Sequence, residues 1–85
     1  MKKVIVYSGE NCPHCNAAKA LLKSKNVEIE EFDIWKDAAK VKEMLQKTNG
    51  ARTVPQIFIG DHYVGGNDQL QEANRDGKLD ELLKD

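Results

Sequence analysis

Val4-Ile5-Val6-Tyr7-Ser8-Gly9-Glu10-Asn11-Cys12-Pro13-His14-Cys15-Asn16-Ala17-Ala18-Lys19-Ala20-Leu21-Leu22 is the stretch that decides the fold. Lys3 to Tyr7 is apolar after its first residue, β-branched and aromatic, and Ser8-Gly9 stops it, which predicts a buried strand ending in a loop. Pro13 suits a first helical turn, where its missing amide has no partner to lose. Behind it Ala17, Ala18, Leu21 and Leu22 recur at three- and four-residue intervals, predicting an amphipathic helix to about Lys25 with Asn26 as its stop. Cys12 then stands at the helix N-terminus and Cys15 one turn inside it. Residues one turn apart can close a local disulfide, so the pair can cycle between dithiol and disulfide. So short a loop stabilises little when closed, which favours chemistry over a structural staple.

Outward from this unit, Val27 to Phe32 reads as a second strand. Asp33-Ile34-Trp35-Lys36-Asp37 leads to a helix on which Ala38, Val41, Met44, Leu45 and Thr48 share a face, closed by Asn49-Gly50. Strands joined by a helix are expected to run parallel. The second half changes character. Gln56 to Gly60 is a short strand, Asp61-His62 the turn and Tyr63-Val64 a strand that must be antiparallel to it. Asp68 with Gln71 predicts a capping-box start to a helix placing Leu70 and Ala73 inward and ending near Asp76-Gly77. Leu79, Leu82 and Leu83 on a last short helix cover the sheet. The order is βαβαββα plus a short C-terminal helix, an α/β chain with a four-stranded mixed sheet flanked by helices.

Eighty-five residues suffice for a single domain, 1–85, with one small core. Thirteen Lys and Arg against fourteen Asp and Glu give a net charge of -1 without like-charge runs, which argues against nucleic-acid binding. The apolar run after Lys2-Lys3 ends at Ser8, too short for a signal peptide, and no stretch has the length of a membrane span. A cytoplasmic setting is expected, where a lone cysteine pair does transient chemistry.

Thiolate, not thiol, attacks disulfides. The free amides and positive end of the helix favour a Cys12 thiolate, so Cys12 is expected to be the exposed nucleophile and Cys15 the buried resolving thiol. His14 between them, if partly protonated, favours the same thiolate and biases the pair toward the oxidant side; the plainer reading is an imidazole facing water. A zinc site would need Cys12, Cys15, His14 and His62 together, and no metal is expected. Tyr7 reads as core, although it stands close enough to the loop to line a groove. Trp35 reads as packing or partly exposed surface, at the end of its strand away from the cysteines.

Over nearly its whole length the chain resembles the glutaredoxin family, dithiol type, of the thioredoxin-like superfamily. The matching residues are Val4 to Tyr7 before Cys12-Pro13-His14-Cys15, then Ala17 to Leu22, Gly50 to Ile59 including Thr53-Val54-Pro55, and Gly65-Gly66-Asn67-Asp68. The resemblance implies a glutathione-dependent thiol-disulfide oxidoreductase that reduces protein disulfides and glutathione mixed disulfides. Glutathione is then a co-substrate, with no tightly bound cofactor. Thr53-Val54-Pro55 becomes a loop facing the cysteines, with a cis proline, whose Val54 backbone pairs with the ligand. Gly66, Asn67 and Asp68 meet the γ-glutamyl end, and Lys42 and Arg52 the glycyl carboxylate. Partners would be glutathione and disulfide-containing or glutathionylated proteins, with the chain acting as a monomer.

The chain departs from the family at four positions. Gly9 stands where a lysine is usual, His14 where a tyrosine is usual, Asn67 where a third cysteine is common and Gln69 where a second acid is common. The alternatives are a donor recycled by a flavoprotein reductase, a dedicated donor to ribonucleotide reductase, or a [2Fe-2S] cluster held by two chains with glutathione.

Overall fold

The structure is a computed structural model describing residues 2–84. Its elements are β1 (Val4–Ser8), α1 (Pro13–Ser24), β2 (Ile29–Asp33), α2 (Ala38–Lys47), β3 (Gln56–Ile59), β4 (His62–Gly65), α3 (Asn67–Arg75) and α4 (Lys78–Leu83). The four strands form one mixed sheet in the order β2-β1-β3-β4. β1 and β2 are parallel, from Val4 beside Ile29 to Ser8 beside Asp33. β3 runs antiparallel to β1, with Tyr7 beside Gln56, and β4 antiparallel to β3. This is the thioredoxin-like arrangement that the resemblance implies.

Alternation along β1 sorts the core. Val4 and Val6 face one side, where they are buried with Ala18 and Leu22 of α1, Leu70 of α3 and Leu79 and Leu83 of α4. Tyr7 faces the other side and packs with Met44 of α2 and Phe58 of β3. Full burial contributes roughly 1.5–3 kcal/mol for each large aliphatic side chain, so the first face dominates.

Both long connections end as their sequences predict. Asn26 (φ 60°) and Asn49 (φ 59°) take the left-handed conformation just after α1 and α2, and Gly50 N–H reaches back to Leu45 O at 2.8 Å. Several expectations are corrected. β2 starts at Ile29, and Val27 precedes it. The hairpin turns at Gly60-Asp61, so His62 belongs to β4. Ala17 and Ala38 are exposed, because the buried stripe of α1 runs through Cys15, Ala18 and Leu22 and that of α2 centres on Met44. α3 starts two residues earlier in its capping pattern: Gly66 is the N-cap and Gln69, not Gln71, reaches back to it.

Candidate active site

The strand directions bring four segments to one end of the sheet: those following β1, β2 and β4, and the one preceding β3. Cys12 lies on the first of these, as the N-cap of α1, with extended backbone. Its sulfur accepts the Cys15 amide at 3.1 Å, and its carbonyl accepts the Asn16 amide at 3.1 Å. Pro13 fills the first helical position, so the helix begins without a wasted donor. Cys12 is half-buried and Cys15 is 1% exposed, lying on the stripe that packs against the sheet. The two are joined as a disulfide, with Cα atoms 5.2 Å apart.

Val54 O lies 3.8 Å from Cys12 Sγ, and the Val54–Pro55 peptide is cis, as the resemblance implies. Beyond it opens a groove of about 520 Å³. Thr53, Val54 and Pro55 line one wall, and Gly66, Asn67 and Asp68 line the other. His14, exposed on the first turn of α1, also borders it. Lys42, exposed on α2, and Arg52, exposed before Thr53, are not among the lining residues. Tyr7 is fully buried against Phe32 and Phe58 and does not reach the groove. Burial raises its phenol pKa, which Lys47 opposes.

The groove wall has a polar support that sequence reasoning missed. Gln56 is buried, its Nε2 donates to Thr53 O at 2.8 Å, and Tyr63 Oη donates to its Oε1. Tyr63 in turn stacks on Phe58, with ring centroids 4.9 Å apart. The available signal was a lone glutamine opening an apolar strand, seven residues before a tyrosine across a hairpin. On the opposite wall no side chain caps α3 at Gly66, because glycine has none; Gln69 Oε1 accepts the Gly66 N–H at 2.9 Å instead. The first amides of α3 therefore open toward the groove with the positive end of the helix behind them.

Beneath α1, Glu31 of β2 accepts from Ser8 Oγ at 2.6 Å and from Lys19 Nζ at 2.8 Å. The Lys19 hydrogen bond, then that of Ser8, holds its carboxyl below the ordinary carboxylate value. One placement is overturned outright. Parallel pairing carries Trp35, two residues past β2, to the cysteine end of the sheet and against Gly9. Among the described residues no cluster of three or more His, Cys, Asp or Glu side chains is placed to hold a metal ion, and no helix is long and apolar enough to cross a membrane.

Chemically, the site offers a sulfur at a helix end, a second sulfur one turn below it, and a groove alongside bordered by the start of α3. Comparison with known proteins agrees. The glutaredoxin family profile matches residues 4–64. Glutaredoxin 3 of Escherichia coli (strain K12) is 49% identical over 84 residues, covering 99% of this chain and all of that protein. The solution structure of a dithiolic glutaredoxin from Trypanosoma brucei brucei superposes with a TM-score of 0.85 at 34% identity, covering 98% of this chain and 88% of that one. A crystal structure of a buckwheat glutaredoxin-glutathione complex gives a TM-score of 0.83 at 32% identity, covering 94% and 74%.

Proposed function

The chain belongs to the glutaredoxin family and is a dithiol oxidoreductase, and we propose that glutathione is its reductant and co-substrate, with Cys12 as the nucleophile. The observation that carries the glutathione reading is the groove beside Cys12, walled by Val54 on one side and by the start of α3 on the other. The buckwheat relative in complex with glutathione supports it.

In the monothiol route the Cys12 thiolate attacks the glutathione sulfur of a mixed disulfide. The protein thiolate leaves and takes up a proton, and Cys12 carries glutathione. A second glutathione thiolate attacks that sulfur, forming glutathione disulfide and restoring Cys12. In the dithiol route Cys12 attacks a protein disulfide, and Cys15 then attacks Cys12 sulfur, expelling the reduced protein and closing the intramolecular disulfide. Two glutathiones reopen it. Pro13 and His14 shape the turn that carries the nucleophile. Val54 would pair with the glutathione backbone, with Thr53 and Pro55 setting its loop, while the amides of Asn67 and Asp68 next to Gly66 would hold the γ-glutamyl carboxylate. Lys42 and Arg52 are assigned to the glycyl carboxylate at longer reach.

Both cysteines belong to one chain, so a monomer acting as a single domain in a reducing cytosol suffices. Glutathionylated proteins and dithiol-consuming enzymes such as ribonucleotide reductase are the partners this cycle serves. The test is turnover of a glutathionylated peptide and of a protein disulfide, with either glutathione or a flavoprotein thioredoxin reductase as electron source. Turnover of both with glutathione, and loss of protein-disulfide reduction alone in Cys15→Ser, is expected. Turnover with the flavoprotein only would overturn the glutathione reading.

A further inference from the structure

Among the described residues Trp35 is the most exposed large hydrophobic side chain, at 72%. Yet its backbone is held in place. Asp33 Oδ1 accepts its amide at 2.8 Å, Lys36 N–H closes a turn on Asp33 O, and Ile34 on its other side is tied to Ser8 O at 2.9 Å and packs beneath the sheet. Ordering an indole in water gains nothing for the fold, so its place calls for another reason.

Gly9 supplies the geometry. A Cβ added there would overlap Nε1 and Cδ1 of the Trp35 ring. Gly9 is not among the glycines with positive φ, so its lack of a side chain serves space, not backbone conformation. The indole occupies the position into which any side chain at residue 9 would project, three residues ahead of Cys12.

Strand order sets the side. Across the cysteine end of the sheet come Trp35 after β2, the Gly9 to Cys12 loop after β1, Pro55 before β3 and Gly66 after β4. The groove lies on the β3-β4 side of Cys12 and the indole on the β2 side. A mixed disulfide attacked at Cys12 has two halves. With glutathione in the groove, the polypeptide half is left toward Trp35.

The local charge narrows the partner. Glu10 next to Gly9, and Asp33 and Asp37 two residues either side of Trp35, are the nearest acids in sequence, against Lys36 alone. Cysteines that become glutathionylated are those with thiolate character, which neighbouring Lys or Arg side chains create. We propose that Trp35, exposed over Gly9 and flanked by Glu10 and Asp33, is the docking platform for a basic side chain next to the modified cysteine of a protein substrate. The cation lies on the indole face with carboxylates nearby. This rests on the glutathione reading above.

The experiment compares two glutathionylated peptides that differ only in Arg or Gln beside the cysteine, with the uncharged glutathione-mercaptoethanol mixed disulfide as the small reference. Wild type is expected to favour the Arg peptide by about three- to fivefold in kcat/KM, carried by KM, the size of an exposed cation-aromatic contact. Trp35→Ala should remove that preference and lower the ratio of Arg-peptide to mercaptoethanol-disulfide turnover; Trp35→Phe should keep part of it. Equal treatment of both peptides by wild type, or equal losses on both in Trp35→Ala, would overturn the platform alone. Failure of wild type on the mercaptoethanol disulfide would overturn the glutathione reading, and the platform with it.

Discussion

Of the three helices that begin at the cysteine end of the sheet, α1 and α3 border the groove, and they begin differently. α1 starts on Cys12, whose sulfur accepts the amide of Cys15, so the positive end of the helix falls on a cysteine sulfur. α3 starts on Gly66, which has no side chain, and only Gln69 reaches back to it. Its leading amides are left for something outside the chain. One physical feature, the unpaired donors and partial positive charge of a helix start, thus serves two purposes. In the proposed cycle it would stabilise a thiolate where the residue is permanent, and offer a seat to a carboxylate where the ligand comes and goes.

The largest effect that tests this division is Cys12→Ser. Serine is a good N-cap, so the reduced variant should hold its denaturation midpoint within about 1 kcal/mol of the reduced wild type. Turnover of any disulfide should fall more than about a thousandfold, since a hydroxyl is not ionised at neutral pH. A large loss of stability in the reduced variant would mean that sulfur at this position also shapes the fold.

At α3 the next effect is conformational. Gly65 has φ +112°, and a Cβ there would come 3.2 Å from Gln69 Cγ. Gly65→Ala should cost about 1–3 kcal/mol in urea denaturation, from backbone strain and from pressure on the residue that caps the helix. Gly66 differs, because its φ of -94° suits any residue and an added Cβ makes only near-normal contacts, 3.4 Å and 3.5 Å, with Gln69 Oε1 and Pro55 O. Gly66→Asp should therefore fold, with α3 better capped by a few tenths of a kcal/mol. The same carboxylate would occupy the amides and repel a ligand anion, raising the KM for glutathione about tenfold, or about 1.4 kcal/mol. Opposite signs in stability and affinity are the signature; a KM that stays put would show that the start of α3 is not the anion seat.

The start of α1 was legible in the sequence because its determinants are local: an apolar strand, a proline at the first helical position and a stripe at helical spacing. The start of α3 was legible only in outline. Asp68-Gln71 and Gly66-Gln69 fit the same three-residue offset, and the pattern rewards a side chain at the cap, which the real cap lacks. The support of Gln56 by Tyr63 depends on hairpin register, and His14 reaching the groove depends on how α1 is rotated. Trp35 was misplaced for a plainer reason. The parallel pairing expected from the intervening helix already puts the segments after β1 and β2 at one end of the sheet, so placing Trp35 away from the cysteines conflicted with that expectation; only its contact with Gly9 needed the structure.

The smallest effect concerns what keeps the two helix starts in position. α3 relies on buried Leu70, and among the described residues no ion pair ties it to the sheet. α1 has such a tie in Glu31, which joins Lys19 to Ser8 at the base of the cysteine loop. The Glu31 side chain is 40% exposed, so solvent screening keeps the contribution of this tie under about 1 kcal/mol. Its pKa is lowered from 4.5 in the folded protein, chiefly by Lys19 and then by Ser8, so folding favours the ionised form. The stabilisation is complete above the unfolded value and disappears as pH falls through the lowered one. Glu31→Gln should thus be slightly less stable than wild type at pH 7, with the gap closing in acid below about pH 4. A gap that persists in acid would assign the tie to the hydrogen bond with Ser8 instead of to charge, and α1 would then be anchored as α3 is, without help from an ion pair.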